Sequence, residues 1–306
     1  MDKYTILSRI GEGAHGVVLK GQHKDTGELV ALKKVPLKKL DEGIPHTALR
    51  EIKALQLTSF HPNIVRLREF FPHGVGFTLV FDYMFSDLSE ILRSIESRLC
   101  EGKVKTYMIM LLRGDLKPAN LLIDSKGVLK IADFGLARLF SHDESRLYSH
   151  QVATRAVGCI FGELINNSPL FPGENDIEQL WFVIRVLGTP TEKNWPGLSR
   201  LPDYNKITFT YCKPVALEDI LLSPSHLAVD LLEKFLNYDQ SKRISAEMAL
   251  LHDYFLTEPL PVDHTELPKP PTERPSTTSF EDCLKAPLDS LLPPPSYFDE
   301  IASYFA

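Results

Sequence analysis

Gly11-Glu12-Gly13-Ala14-His15-Gly16-Val17-Val18 fits the spacing GxGxxGxV, and what flanks it decides the fold. The same glycines open a dinucleotide-binding turn, but that turn is followed by a helix whose N-terminus faces a pyrophosphate. Here a β-branched run, Val17 to Gln22, follows instead. The reading is strand, glycine loop, strand: a flap that closes over phosphates through backbone N–H groups that only glycine lets approach so near. From this segment alone, an ordinary glycine-rich hairpin also fits.

Outward from the loop, apolar residues alternate with period two over Tyr4 to Ile10, Val17 to Gln22 and, after the turn Asp25-Thr26-Gly27-Glu28, Leu29 to Val35. This predicts an antiparallel meander. One helix follows, with Ala48, Ile52 and Leu55 on a common face and Thr47 as N-cap. Two more apolar runs, Ile64 to Phe71 and Phe77 to Tyr83, flank Pro72-His73-Gly74 and complete about five strands. Beyond Asp87 the pattern turns helical, apart from a short hairpin, Leu121 to Ile123 and Val128 to Ile131. The predicted class is α+β and two-lobed: a small antiparallel β lobe with one helix over 1–84, a larger mainly helical lobe over 85–256, and a tail over 257–306.

The tail reading comes from charge. The chain carries 34 basic and 40 acidic residues, net −6, and nine acidic against three basic residues after residue 256 account for all of it. Ten of the 22 prolines lie there too, which predicts a mostly unfolded extension; docking through Phe280, Tyr297, Phe298, Tyr304 or Phe305 is the alternative. A neutral body argues against a nucleic-acid or membrane binder. The most apolar run, Ala156 to Ile165, is about half the length a spanning helix needs. Met1 to Thr5 has no signal-peptide pattern, and Cys100, Cys159, Cys212 and Cys283 show no short pairing, so the expected compartment is reducing.

Val30-Ala31-Leu32-Lys33 ends the third strand on a lysine, and Glu51 sits on the following helix. Together with the glycine loop this suggests an ion pair that aims an ammonium at nucleotide phosphates. Asp115-Leu116-Lys117-Pro118-Ala119-Asn120 supplies an aspartate and an asparagine five positions apart, able to orient a hydroxyl and bind a metal. Asp133-Phe134-Gly135 adds an aspartate able to bridge Mg²⁺ to phosphates.

These motifs in this order resemble the eukaryotic protein kinases, specifically the cyclin-dependent kinases, over roughly residues 1–260. Pro45-His46-Thr47-Ala48-Leu49-Arg50-Glu51 is similar to their cyclin-facing helix signature in altered form. Stretches 145–155, 168–180 and 201–207 resemble the branch called cell cycle-related kinase. The resemblance implies ATP-dependent, Mg²⁺-dependent phosphorylation of protein serine and threonine in cell-cycle control. It further implies protein substrates, a cyclin or cyclin-like activator, an otherwise monomeric chain, and residence in nucleus and cytoplasm. By position, ATP falls to Ile10, Gly11, Glu12, Gly13, Ala14, His15, Gly16, Val18, Ala31, Lys33, Phe81, Asp82, Met84, Asp87 and Leu122. Asp115 is implied to accept the substrate proton, Lys117 to steady the γ-phosphate, Glu51 to pair with Lys33, and Asn120 and Asp133 to bind Mg²⁺. Ser149 is implied as the activating phosphoacceptor, held by Arg50 and Arg138; an unmodified loop serine is the plain alternative.

The chain departs from the family at two places. Where the family has His-Arg-Asp, it reads Arg113-Gly114-Asp115, and the preceding helix, Val104 to Arg113, spans only about 15 Å, roughly a dozen residues short. The aspartate then falls short of the cleft unless the segment unwinds, exposing Met108, Leu111 and Leu112. After Thr154-Arg155 the chain jumps to Ala156-Val157-Gly158-Cys159, about twenty residues short. This predicts that the central helix of the large lobe loses its first half and that Arg243 loses the glutamate it would pair with. An impaired, nucleotide-binding or partner-binding form is therefore the alternative to an active enzyme.

Overall fold

The computed structural model describes residues 2–13, 16–36, 52–53, 55–58, 60–74, 76–95, 97–113, 121–132, 150–201, 204 and 210–270. Among the described residues eight strands are found: β1 (Tyr4–Gly13), β2 (Gly16–His23), β3 (Leu29–Pro36), β4 (Leu67–Pro72), β5 (Gly76–Asp82), β6 (Ser86–Asp87), β7 (Leu121–Ile123) and β8 (Leu129–Ile131). Among the described residues the helices with both ends defined are α1 (Leu88–Ser94), α2 (Glu101–Arg113), α3 (His150–Asn166), α4 (Asp176–Leu187), α5 (Leu217–Ile220), α6 (His226–Leu236), α7 (Ala246–Leu250) and α8 (Asp253–Leu256), and residues 52–53 and 55–57 belong to the small-lobe helix.

The first five strands form one antiparallel sheet in the order β1-β2-β3-β5-β4. Its two faces differ because side chains alternate along each strand. One face buries the row Leu19, Leu32 and Val80 with Tyr4 and Val30 in a small core of its own. The other delivers Leu79 and Phe81 to the main core, which continues through Ile52 and Leu55 into the large lobe.

The large lobe is built on α2, α3 and α6. Residues of α2 stay helical through Arg113, with Met108, Leu111 and Leu112 at 0%, 1% and 5% exposure. The segment has therefore not unwound, because those side chains are held in the core. Helix α3 runs unbroken through Arg155 and Ala156. This corrects the expectation of a half-length central helix: residues 150–155 form its first turns. Val157, Phe161 and Leu164, spaced on one face, are fully buried. Gly158 allows α6 to come close, since a Cβ there would lie 2.8 Å from Phe235 Cβ.

The tail expectation is corrected over residues 257–270. Lys105 Nζ donates to the Thr257 carbonyl at 2.9 Å and lies 4.7 Å from the Tyr254 ring centroid. Thr106 Oγ1 donates to the Val262 carbonyl at 2.7 Å, and Leu267 is 2% exposed. Composition could not show this, because the segment is held by its own backbone carbonyls and a few apolar side chains. Residues 271–306 lie outside the described residues.

Candidate functional site

The β1–β2 register pairs Gly11 with Val18 and Gly13 with Gly16, so the glycine loop is the tip of this hairpin. The register shifts between Arg9 and Gly11, which leaves Ile10 at an irregular position in the ladder. Val18 pairs with Lys33 and Lys33 with Leu79, while Lys20 pairs with Ala31 and Ala31 with Phe81. Cross-strand partners share a face. Gly11, Val18, Lys20, Ala31, Lys33 and Phe81 therefore stand on one side of the sheet, with Leu19, Leu32 and Val80 on the other.

That face fits a flat ring followed by phosphates. Val18, Ala31 and Lys33 are half-buried, whereas the Leu19–Leu32–Val80 row opposite is sealed. Ala31 puts only a methyl group opposite Phe81, and Lys33, two residues along the same strand, supplies positive charge nearer the glycine tip. At Gly11 an added Cβ would meet, among the described residues, only Val18 Cβ, at 3.9 Å.

Asp82, Tyr83 and Met84 link β5 to β6, with Tyr83 and Met84 buried. Asp82 N donates to the Arg66 carbonyl at 3.2 Å, and its carboxylate accepts from Arg68 Nε at 2.6 Å. Arg68 also reaches Glu28 at 2.7 Å and holds that carboxyl below its ordinary range. These partly exposed pairs position the link more than they stabilise it. Lys20 Nζ lies 5.0 Å from the Tyr83 ring centroid.

Below the link, Asp87 pairs with Leu122 and Ser86 with Ile123 across β6 and β7. Asp87 also caps α1, its Oδ1 accepting from Glu90 N at 2.9 Å. The two-residue β6 was not legible in the sequence, and neither were Lys20 and Arg68; a period-two stripe through Val18 and Lys20 is the one signal that could have found Lys20.

Strand β8 ends two residues before Asp133 and is tied to the small lobe. Ile131 N donates to the Asn63 carbonyl at 2.9 Å, and Val65 N to the Ile131 carbonyl at 2.9 Å. Ala14, His15, Glu51, Asp115, Lys117, Asn120, Asp133 and Ser149 lie outside the described residues, as do Arg50, Arg138 and the side chain of Glu12. The two metal-ligand candidates are among them. Arg243 donates from Nε to the Asn237 carbonyl at 2.7 Å and from Nη2 to the Tyr238 carbonyl at 3.3 Å. Burial, then the like charge of Arg155, press its guanidinium below the ordinary range.

A family model described as the protein kinase domain matches residues 4–156 and 144–255. The chain belongs to the protein kinase family. Within it, this kinase is of the cyclin-dependent, serine/threonine type. It is 58% identical over 303 aligned positions to cyclin-dependent kinase 20 of Danio rerio, 54% to that of Rattus norvegicus and 53% to that of Homo sapiens, with 88% of each chain covered.

The comparisons also bear on the length of this kinase. Its two family matches overlap over 144–156, so the match breaks within that stretch, which contains Arg155 and Ala156. Eighty-eight per cent of 306 residues is about 269, which leaves about 34 of the 303 aligned positions with no residue of this kinase opposite them. That number is near the dozen and the twenty residues by which the sequence reads short of the family.

Proposed function

We propose that this kinase binds ATP with Mg²⁺ and transfers the γ-phosphoryl group to serine or threonine hydroxyls of proteins, in cell-cycle control, with a cyclin or cyclin-like activator. The observation that carries the reading is the common face of Gly11, Val18, Ala31, Lys33 and Phe81, with Asp87 and Leu122 paired below the link. Phosphoryl transfer needs positioned charge more than covalent chemistry from the protein. When bound, Mg·ATP supplies the phosphorus centre and a metal that neutralises the charge developing on the phosphate oxygens.

The chain's own residues then divide the work. Val18, Ala31 and Phe81 hold the ring by apolar contact, the link residues Asp82 to Met84 border it, and Lys33 neutralises phosphate oxygens. Asp115 accepts the substrate hydroxyl proton, Lys117 steadies the transferring group, and Asn120 and Asp133 hold Mg²⁺, each assigned by its place in the motif. Phosphorylated Ser149 would be held by Arg50 and Arg138. The relatives' name, cyclin-dependent kinase 20, supports the cyclin-type activator, and the cell-cycle setting follows the family resemblance. Nucleus and cytoplasm are the proposed location.

A second reading has one observation of its own. Helix α3 begins at His150, so the end of the segment that the family resemblance gives to activation, residues 150–155, is helical and continuous with the helix whose later turns fill the core. This favours a form that binds nucleotide without efficient transfer. Radiolabelled phosphate transfer, run beside Asp115→Asn, separates the two. Transfer abolished by the substitution supports the enzyme; a Mg·ATP thermal shift without transfer supports the binding module; no thermal shift overturns both.

A further inference from the structure

Two arginines stand where α3 meets the end of α6. Gly158 brings α3 against Phe235 and Leu236, in the last turn of α6. Arg155, three residues earlier and so on the same side of α3, is half-buried beside that crossing. Just past Leu236, Arg243 is clamped by backbone: Nε donates to the Asn237 carbonyl at 2.7 Å and Nη2 to the Tyr238 carbonyl at 3.3 Å. The charge of Arg155 acts on Cys159, Tyr238 and Arg243 alike, which sets it next to this clamp.

An arginine does not shed its proton to escape a like charge, as a buried lysine can. The acids nearby leave this charge unanswered. Asp239, whose charge also acts on Arg243, accepts from Ser241 Oγ at 2.6 Å and lies 3.7 Å from Lys242 Nζ. Glu163 lies about two turns further along α3, where burial raises its carboxyl. Among the described residues, the Arg155 side chain makes no hydrogen bond or ion pair.

We propose that Arg155 and Arg243 bind a tetrahedral dianion of the phosphate class, Arg155 donating to its oxygens and Arg243 adding the second positive charge from the end of α6. Two positive charges match a doubly charged oxyanion better than a single carboxylate, and the planar fork of Arg155 suits two phosphate oxygens at once. Helices α3 and α6 contribute nothing to the face of Lys33, so this is a second anion site, and it does not rest on the nucleotide reading. Inorganic phosphate and a phosphorylated serine side chain offer the same chemistry.

Thermal-shift titration of the full chain tests the site, after phosphatase treatment checked by mass spectrometry. The probes are inorganic phosphate and O-phosphoserine from about 0.1 to 30 mM, with sodium chloride holding ionic strength constant. The melting midpoint rises with phosphate and not with chloride. Arg155→Gln weakens the apparent affinity at least tenfold. Arg155→Lys, which keeps the charge and loses the fork, weakens it about threefold and carries the test if Arg155→Gln does not fold. Arg243→Gln is the poorer probe, because it also releases the end of α6. Lys33→Met stays within about threefold of the parent. Inorganic phosphate binding at least as tightly as O-phosphoserine assigns the site to the free ion, and tighter O-phosphoserine assigns it to a phosphorylated side chain. A midpoint that phosphate moves no more than chloride, a phosphate shift that survives both Arg155 substitutions in full, or one lost in Lys33→Met would each overturn the second site.

Discussion

Asn63 Nδ2 donates to the Leu129 carbonyl across 66 positions of sequence, at 3.0 Å and fully buried. The same residue donates its backbone N–H to His61 Nδ1 at 3.1 Å and accepts from Ile131 N at 2.9 Å. One asparagine thereby fastens the turn after the small-lobe helix to β8, the strand that leads to Asp133. The link between lobes is made here by hydrogen bonds with fixed direction, which set the course of β8 more tightly than apolar contact would.

Asn63→Ala therefore removes a buried donor and leaves the Leu129 carbonyl without it, at a cost of about 1–3 kcal/mol. Urea unfolding measures it as a lower midpoint at unchanged slope. Asn63→Asp, which sets a carboxylate against that carbonyl, is expected to lose more.

Gly158→Ala tests the packing of the rebuilt central helix. The added Cβ meets Phe235 Cβ at 2.8 Å and Leu236 Cδ2 at 2.9 Å. Overpacking of this kind costs about 1–3 kcal/mol, although alanine is the better helix former. A variant as stable as the parent would show that α3 and α6 do not cross this closely.

Gly102→Ala tests the strap over α2. Its Cβ would lie 2.8 Å from the Leu260 carbonyl oxygen, which is backbone and cannot rotate away. Faster hydrogen exchange at the amides of Leu260 to Leu267, with the amides of β2 and β3 unchanged, is the expected result.

Alkaline pH should unfold the large lobe. Burial raises the phenol of Tyr238 to about 12, and raises those of Tyr107 and Tyr254 as well. A phenol raised in the folded state favours folding fully below its unfolded value near 10, and that contribution is lost as pH rises through the folded value. Stability measured by denaturant is thus expected to decline between about pH 10 and 12. Tyr238→Phe, which also removes the 2.7 Å bond to the Gly188 carbonyl, flattens part of that decline and lowers stability by about 1 kcal/mol at neutral pH.

The small lobe was legible because its pattern is local. Alternation and turn residues placed β1, β2, β3 and β5 within a few residues of their ends. The same alternation set Val18, Ala31 and Lys33 on one face. What could not be read depends on contacts between distant segments. The two-residue β6 has too few positions to show a period, and Asp87 reads as a helix cap as readily as a strand partner. The first turns of α3 come from residues whose family context is a loop; only the burial of Val157, Phe161 and Leu164 against α6 makes them helical. The strap at 257–270 is acidic and proline-rich, and its partners, Lys105 and Thr106, lie over 150 residues away. Asp115, Asn120 and Asp133 were legible as motif residues, and their roles rest on motif position.

The face that carries Lys33 is the centre of the account, and isothermal titration calorimetry of Mg·ATP tests it most directly. The parent chain is expected to bind at one site, with Lys33→Met at least tenfold weaker and Ala31→Phe, which sets a ring in place of the methyl group opposite Phe81, without measurable binding. Lys20→Met, on the same face but paired with Ala31 and set toward Tyr83, should stay within about threefold of the parent. Equal affinity for the parent, Lys33→Met and Ala31→Phe would contradict the assignment of this face to the nucleotide.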